Sequence, residues 1–215
     1  MVRKVSGKFV VLEGIDGAGT TTQARLLAEW LVSTGRPAVV TGEPSKGPIG
    51  SLIRQILTGR TIARGKRGEA IPFGNEIISL LFAADRLDHC FHEIQGQQAD
   101  GLQVISDRYV HSSLMYQGLD GDQDWIRTLN QYALIPDVTY VLDVPASTAA
   151  VRRRSARSGE ELYEQDAVQQ QLEQEYRRLP QLFPDEQIVM VDGAQAVGRV
   201  HKCIAEDLSR RYGWT

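Results

Sequence analysis

The chain has 215 residues, 42% of them hydrophobic and 24% charged, with a formal net charge of -3. This is long enough to bury a full core, and the charge exerts no general pull on nucleic acid or an anionic membrane, so any nucleotide contact must come from locally placed arginines. Cys90 and Cys203 lie far apart without C-x-x-C spacing and read as reduced core thiols, while the opening MVRKVSGK runs into a strand with no apolar leader and no apolar run nears membrane-spanning length; the expectation is a cytosolic protein with no membrane or nucleic-acid partner.

Phe9 to Leu12 is a short apolar run that predicts a buried strand, and Ala24, Leu27, Ala28 and Leu31 follow at helical spacing. Between them, Gly14 to Gly19 carries three glycines and Thr20 opens the helix. A strand, a Gly-rich turn and a helix N-terminus form a phosphate cradle, because backbone N–H groups can approach an anion without side-chain obstruction. Gly14 to Thr21 fits the pattern G-x-x-x-x-G-K-[ST] except that Thr20 stands where lysine belongs.

Further along, Ala38 to Thr41 predicts a second strand, Gly42 to Pro48 a loop, and Ile49 to Leu57 a short amphipathic helix. Residues Thr58 to Ala70 are basic, Gly-rich and aperiodic, which reads as a surface loop. Asn75 is the expected cap of a helix whose buried face is Ile77, Ile78, Leu81, Ala84 and Leu87, with Phe82 and Arg86 four apart on another face. Leu102 to Ser106 is a third strand ending in Asp107-Arg108-Tyr109. Helices at Asp124–Ala133, Ala146–Arg154, Asp166–Leu179 and Val197–Arg210 alternate with strands at Val138–Val144 and Ile188–Val191, and Tyr176 reads as scaffold. The alternation predicts an α/β fold, a five-stranded parallel sheet covered by helices on both faces, with ligands at the carboxyl ends of the strands.

Several ordered segments carry a family resemblance: FVVLEGIDGAGTTTQ, TGEPSKGPIG, LLFAADRLDH, VISDRYVHSSLMYQG, PDVTYVLDVP, GEELYE and VDGAQ. Together they resemble thymidylate kinase, a P-loop kinase that moves the γ-phosphoryl group of ATP to dTMP. The resemblance implies a single kinase domain over residues 1–215 with a mobile lid at about 152–164, Mg²⁺ with ATP as donor, and a homodimer. It also implies that Gly14, Ile15, Asp16, Gly17, Ala18, Gly19, Thr20, Thr21 and Thr22 hold the ATP phosphates, with Thr21 and Asp107 serving the metal. Asp16 matches the carboxylate that binds the acceptor 3′-hydroxyl, and Arg86 and Arg108 match arginines on the acceptor phosphate, for which planar guanidinium forks are suited. Phe82 matches the aromatic stacked on thymine. Ser113, Tyr116 and Gln117 match the lining of base and sugar, and Arg54, Glu43 and Pro44 fall on the phosphate side. The sequence departs from the family at Thr20, and neither Gly17 nor Ala18 supplies a basic residue. Positive charge on the donor must then come from the lid, with Arg153 and Arg157 as catalytic candidates, although Leu162 stands where arginine is frequent. The rival readings are a kinase of altered specificity and a nucleotide-binding protein without turnover.

Overall fold

The computed structural model describes residues 7–156 and 165–214. In chain order these form β1 (Phe9–Glu13), α1 (Thr20–Ser33), β2 (Ala38–Gly42), α2 (Pro48–Leu57), β3 (Ala63–Arg64), β4 (Ala70–Ile71), α3 (Asn75–His89) and, after a π-helical turn at Cys90–Ile94, α4 (Gln95–Ala99). There follow β5 (Gln103–Asp107), α5 (Val110–Tyr116), α6 (Gln123–Leu129), β6 (Val138–Asp143), α7 (Ala146–Ala156), α8 (Asp166–Leu182), β7 (Ile188–Asp192) and α9 (Val197–Tyr212). Arg157 and Leu162 lie outside the described residues.

The five main strands pair in parallel in the order β2-β5-β1-β6-β7. β1 is central and wholly buried. Its alternation sends Phe9 and Val11 to a cluster with Cys90, Ile94, Val104 and Tyr109. Val10 and Leu12 join the larger cluster with Leu27, Leu31, Ile105 and Leu114. A strand with both faces covered needs a continuous apolar run, which is what this stretch supplies. Because every strand of the main sheet runs the same way, the ends of β1, β2 and β5 bring Gly14, Glu43 and Asp107 to one rim.

Several local expectations are corrected. Residues 58–70 are not featureless, since Ala63 and Arg64 pair antiparallel with Ile71 and Ala70 in a small hairpin. Gly74, not Asn75, occupies the cap position of α3, and the Asn75 amide instead donates to the Gln117 carbonyl at 2.8 Å. The buried face of α3 is largely polar: Ser79, Asp85, Arg86 and His89 are buried with Ile78 and Ala83, whereas Ile77 and Leu80 are about half exposed. Hydrogen bonding explains the inversion, because Asp85 accepts from the Ser45 backbone N–H and hydroxyl at 2.7 and 2.6 Å. The helix expected through Ala133 stops at Leu129, started by Asp122, which accepts from Asp124 N–H and Trp125 N–H. Cys90 is a core thiol as expected, but Cys203 is exposed.

Candidate active site

At the carboxyl edge of the sheet, β1 turns through Gly14–Gly19 into α1. Gly17 has φ +87°, and a Cβ there would meet the Ala149 carbonyl at 2.5 Å, so only glycine lets α7 approach the loop this closely. Gly19, at φ 101°, precedes α1 and offers no side-chain cap, and the first turn of α1 holds no acidic residue. The N–H groups of that turn therefore open onto a cavity of about 730 Å³ lined by the loop, Asp107, Arg152, Arg153 and residues 193–197. Gly14 and Ile15 do not line it. Ile15 is a core residue, and Gly14 offers its carbonyl to Arg108 at 2.9 Å. Thr20 is buried at the start of the helix, and Thr21 and Thr22 are exposed.

Two arginines of α7 clasp the same loop. Arg153 donates to the Asp16 carbonyl at 2.7 Å and pairs with Asp166 at 3.3 Å. Arg152 donates to the carbonyls of Gly193 at 3.0 Å and Ala18 at 3.3 Å, joining the loop to the segment after β7. Positive charge of the kind the missing lysine would carry thus stands beside this cavity, on a regular helix.

Arg108 follows β5 at φ 69°, the sole non-glycine with positive φ among the described residues. Its N–H donates to the Leu12 carbonyl at 2.9 Å and its own carbonyl accepts from Ser106 Oγ at 2.7 Å, which hold a conformation that costs a bulky residue energy. The strain turns its guanidinium back over the phosphate loop, where Nη2 meets Asp16 Oδ1 at 2.5 Å and the group lies 5.1 Å from the Tyr116 ring. Burial alone would weaken its hold on a proton, but Tyr116, Asp16, Tyr176 and Glu13 reverse this and raise its pKa. The Tyr116 phenol is itself pushed up, first by burial, and stays neutral. Beneath lies Glu13, fully buried, accepting from Tyr109 N–H at 2.9 Å, Ser112 Oγ at 2.7 Å and Tyr176 OH at 3.0 Å.

A second cavity of about 130 Å³ lies beyond Arg108, lined by Pro44, Phe82, Arg86, Ser113, Tyr116 and Gln117 among others. Arg86 is 1% exposed and held from four sides. It donates twice to Glu43 Oε2, at 2.6 and 2.9 Å, to Ser113 Oγ at 2.9 Å, to the Tyr109 carbonyl at 3.3 Å and to Asn130 Oδ1. Its ion-pair partner is Glu43 rather than a neighbour on its own helix. Glu43 also meets His89 Nδ1 at 3.3 Å, so this carboxylate serves chiefly to hold Arg86. Arg54 is the candidate that the fold leaves at the rim, exposed, with its guanidinium on the Pro44 carbonyl at 2.7 Å.

A family model described as thymidylate kinase matches residues 12–204. Among curated relatives, a probable thymidylate kinase of Thermococcus kodakarensis is 40% identical over 200 residues, covering 91% of this chain and 94% of the relative. The thymidylate kinase of Nostoc sp. is 35% identical over 212 residues, covering 95% of this chain and 97% of the relative. The chain belongs to the thymidylate kinase family. It is a phosphotransferase.

Thr21 and Asp107, at the larger cavity, test whether the residues present fit a divalent cation. The Thr21 hydroxyl donates to Asp107 Oδ2, and Asp107 Oδ1 is buried without a hydrogen-bond partner among the described residues. An orphaned carboxylate oxygen beside a hydroxyl fits a hard cation such as Mg²⁺. Sequence reasoning missed Glu13, Asn130 and Gln169, had Arg152 only within the arginine run of the lid, and read Tyr176 as scaffold, whose hydroxyl meets Ser112 at 3.0 Å. The signal for Gln169 was present in α8, whose buried face is Gln169, Leu172, Tyr176 and Leu179. A fully buried glutamine on an otherwise apolar stripe marks a polar partner on the facing element.

Proposed function

We propose that this thymidylate kinase binds MgATP in the larger cavity and dTMP in the smaller, and transfers the γ-phosphoryl group to give ADP and dTDP. The observation that carries the assignment is the junction: the two cavities share Asp16, Glu43 and Arg108. An oxygen of the dTMP phosphate forms the new P–O bond while the bond to the β–γ bridging oxygen breaks and ADP leaves with the electron pair. A phosphate monoester has its second pKa at about 6, so the acceptor is already a dianion at neutral pH and no general base is required. Catalysis is then positioning and charge neutralisation. Arg108 reaches the reacting phosphates from the junction, Arg86 binds the acceptor phosphate, and Arg153 with the N-terminus of α1 serves the donor. Thr21 and Asp107 would hold Mg²⁺, which neutralises the donor phosphates. Asp16 takes the 3′-hydroxyl, Phe82 stacks on thymine, and Ser113, Tyr116 and Gln117 enclose the sugar and base, with Pro44 and Arg54 at the edge.

The protein acts, on this reading, as a cytoplasmic homodimer. Ile77, Leu80 and Phe91 are 49%, 50% and 63% exposed, and with Ala84 they fall along one side of α3 and its continuation. Such a stripe suits burial against a second copy. Light scattering checks this, with Leu80→Glu expected to yield monomer.

ADP release from MgATP with dTMP, dUMP, dCMP and dGMP in turn tests the activity. Turnover selective for dTMP is expected. Binding of dTMP and ATP with no ADP formed would establish a nucleotide-binding protein without turnover instead.

A further inference from the structure

Asp16 is held by more than Arg108. Gln169, fully buried on α8, accepts from the Asp16 backbone N–H at 3.0 Å and donates through Nε2 to Asp16 Oδ2 at 2.9 Å. Arg108 takes the other oxygen, Oδ1, at 2.5 Å. Seven residues along the same face of α8, Tyr176 supports Arg108 at 3.4 Å and Ser112 at 3.0 Å. One helix face therefore braces both members of the Asp16–Arg108 pair.

We infer that Gln169 is a positioning residue that fixes the Asp16 carboxylate toward the acceptor. The chemistry dictates the residue type. The clamp needs one acceptor and one donor side by side without net charge, which among long side chains is the amide of glutamine. Glutamate would set an acceptor against a carboxylate, and lysine or arginine would leave the Asp16 N–H without a partner. With Arg108 on one oxygen and Gln169 on the other, the carboxylate is fixed in plane and each oxygen keeps lone-pair capacity for a ligand. An unclamped aspartate on a Gly-rich loop would sample several rotamers and present this geometry for only part of the time. Gln169 itself lines neither cavity.

The inference rests on the reading that Asp16 faces the acceptor sugar, and steady-state kinetics with calorimetric dTMP binding separates the two. Gln169→Met is expected to lower kcat with dTMP by about 10- to 100-fold, with KM for ATP changed less than about twofold. In an Asp16→Ala background, the same substitution is expected to change kcat by less than about threefold, since its route of action is gone. Gln169→Asn keeps the buried amide but withdraws it by one methylene, so it should fold and give the same pattern at smaller amplitude. Equal losses with and without Asp16, or a KM for ATP that rises with the loss in kcat, would reduce Gln169 to a structural residue and overturn the inference. A wild-type protein that binds and turns over dTMP while both Gln169 variants match it would overturn the inference alone. Failure of the wild type to bind dTMP would overturn the reading of Asp16 together with it.

Discussion

The two halves of the site are built from different materials. The larger cavity, the donor half on our proposal, is mostly backbone: a glycine turn, the first turn of α1, and two arginines that grip carbonyl oxygens. The smaller cavity, the acceptor half on the same proposal, is mostly side chain, a buried set in which Arg86 is tied to Glu43, Asn130 and Ser113. Backbone donors are present whatever the side chain, so on this proposal the donor half is expected to bind an anion with Thr20 in place of lysine. A buried ion pair has no such tolerance, because removing one partner strands the other charge.

The largest test of this contrast is Glu43→Ala. It leaves the Arg86 guanidinium, 1% exposed, without its counter-ion. Urea denaturation is expected to register a loss of roughly 3–5 kcal/mol, with dTMP turnover lost too. Arg153→Ala addresses the donor half, where the fold should persist. There kcat is expected to fall about 100-fold, as when one preorganised donor to a transition state is removed, while the thermal midpoint stays within a few degrees. An unchanged kcat would mean that Arg153 only supports the loop backbone.

Asp107→Asn probes the cation donors. The Mg²⁺ concentration for half-maximal rate should rise about 10- to 100-fold with KM for dTMP unaltered, read by titrating metal after chelation. The smallest effect is expected from Thr20→Lys, which restores the family pattern. A gain of roughly tenfold in kcat/KM for ATP, or about 1.4 kcal/mol, would measure what the lysine contributes beyond backbone and arginines. No gain at all would mean that Arg152 and Arg153 already neutralise the donor, and silence in the wild type with turnover in this variant would mark a donor half switched off.

Local pattern made much of the architecture legible. Phe9–Glu13, the glycine spacing after it and the amphipathic run of α1 declare a strand, an anion loop and a helix because each is a short-range consequence of apolar periodicity and backbone freedom. The buried face of α3 was misjudged for the opposite reason. Periodicity assigns apolar residues to the core, yet here Asp85, Arg86 and His89 go inside because partners on α5 and the loops satisfy them, and Ser79 because its hydroxyl donates to the Asn75 carbonyl one turn back. Asn130 and Gln169 were invisible as site residues because each acts on a group more than forty positions away.

By itself, then, the sequence determined the parallel α/β plan, the phosphate loop with its missing lysine, and the family, all of which reside in contiguous motifs. The tertiary structure decided what those motifs touch: that Glu43 neutralises Arg86, that Arg152 and Arg153 stand beside the loop, and that α8 clamps Asp16. Those contacts join residues from separate strands and helices, and only the packing of the sheet brings them within hydrogen-bond distance.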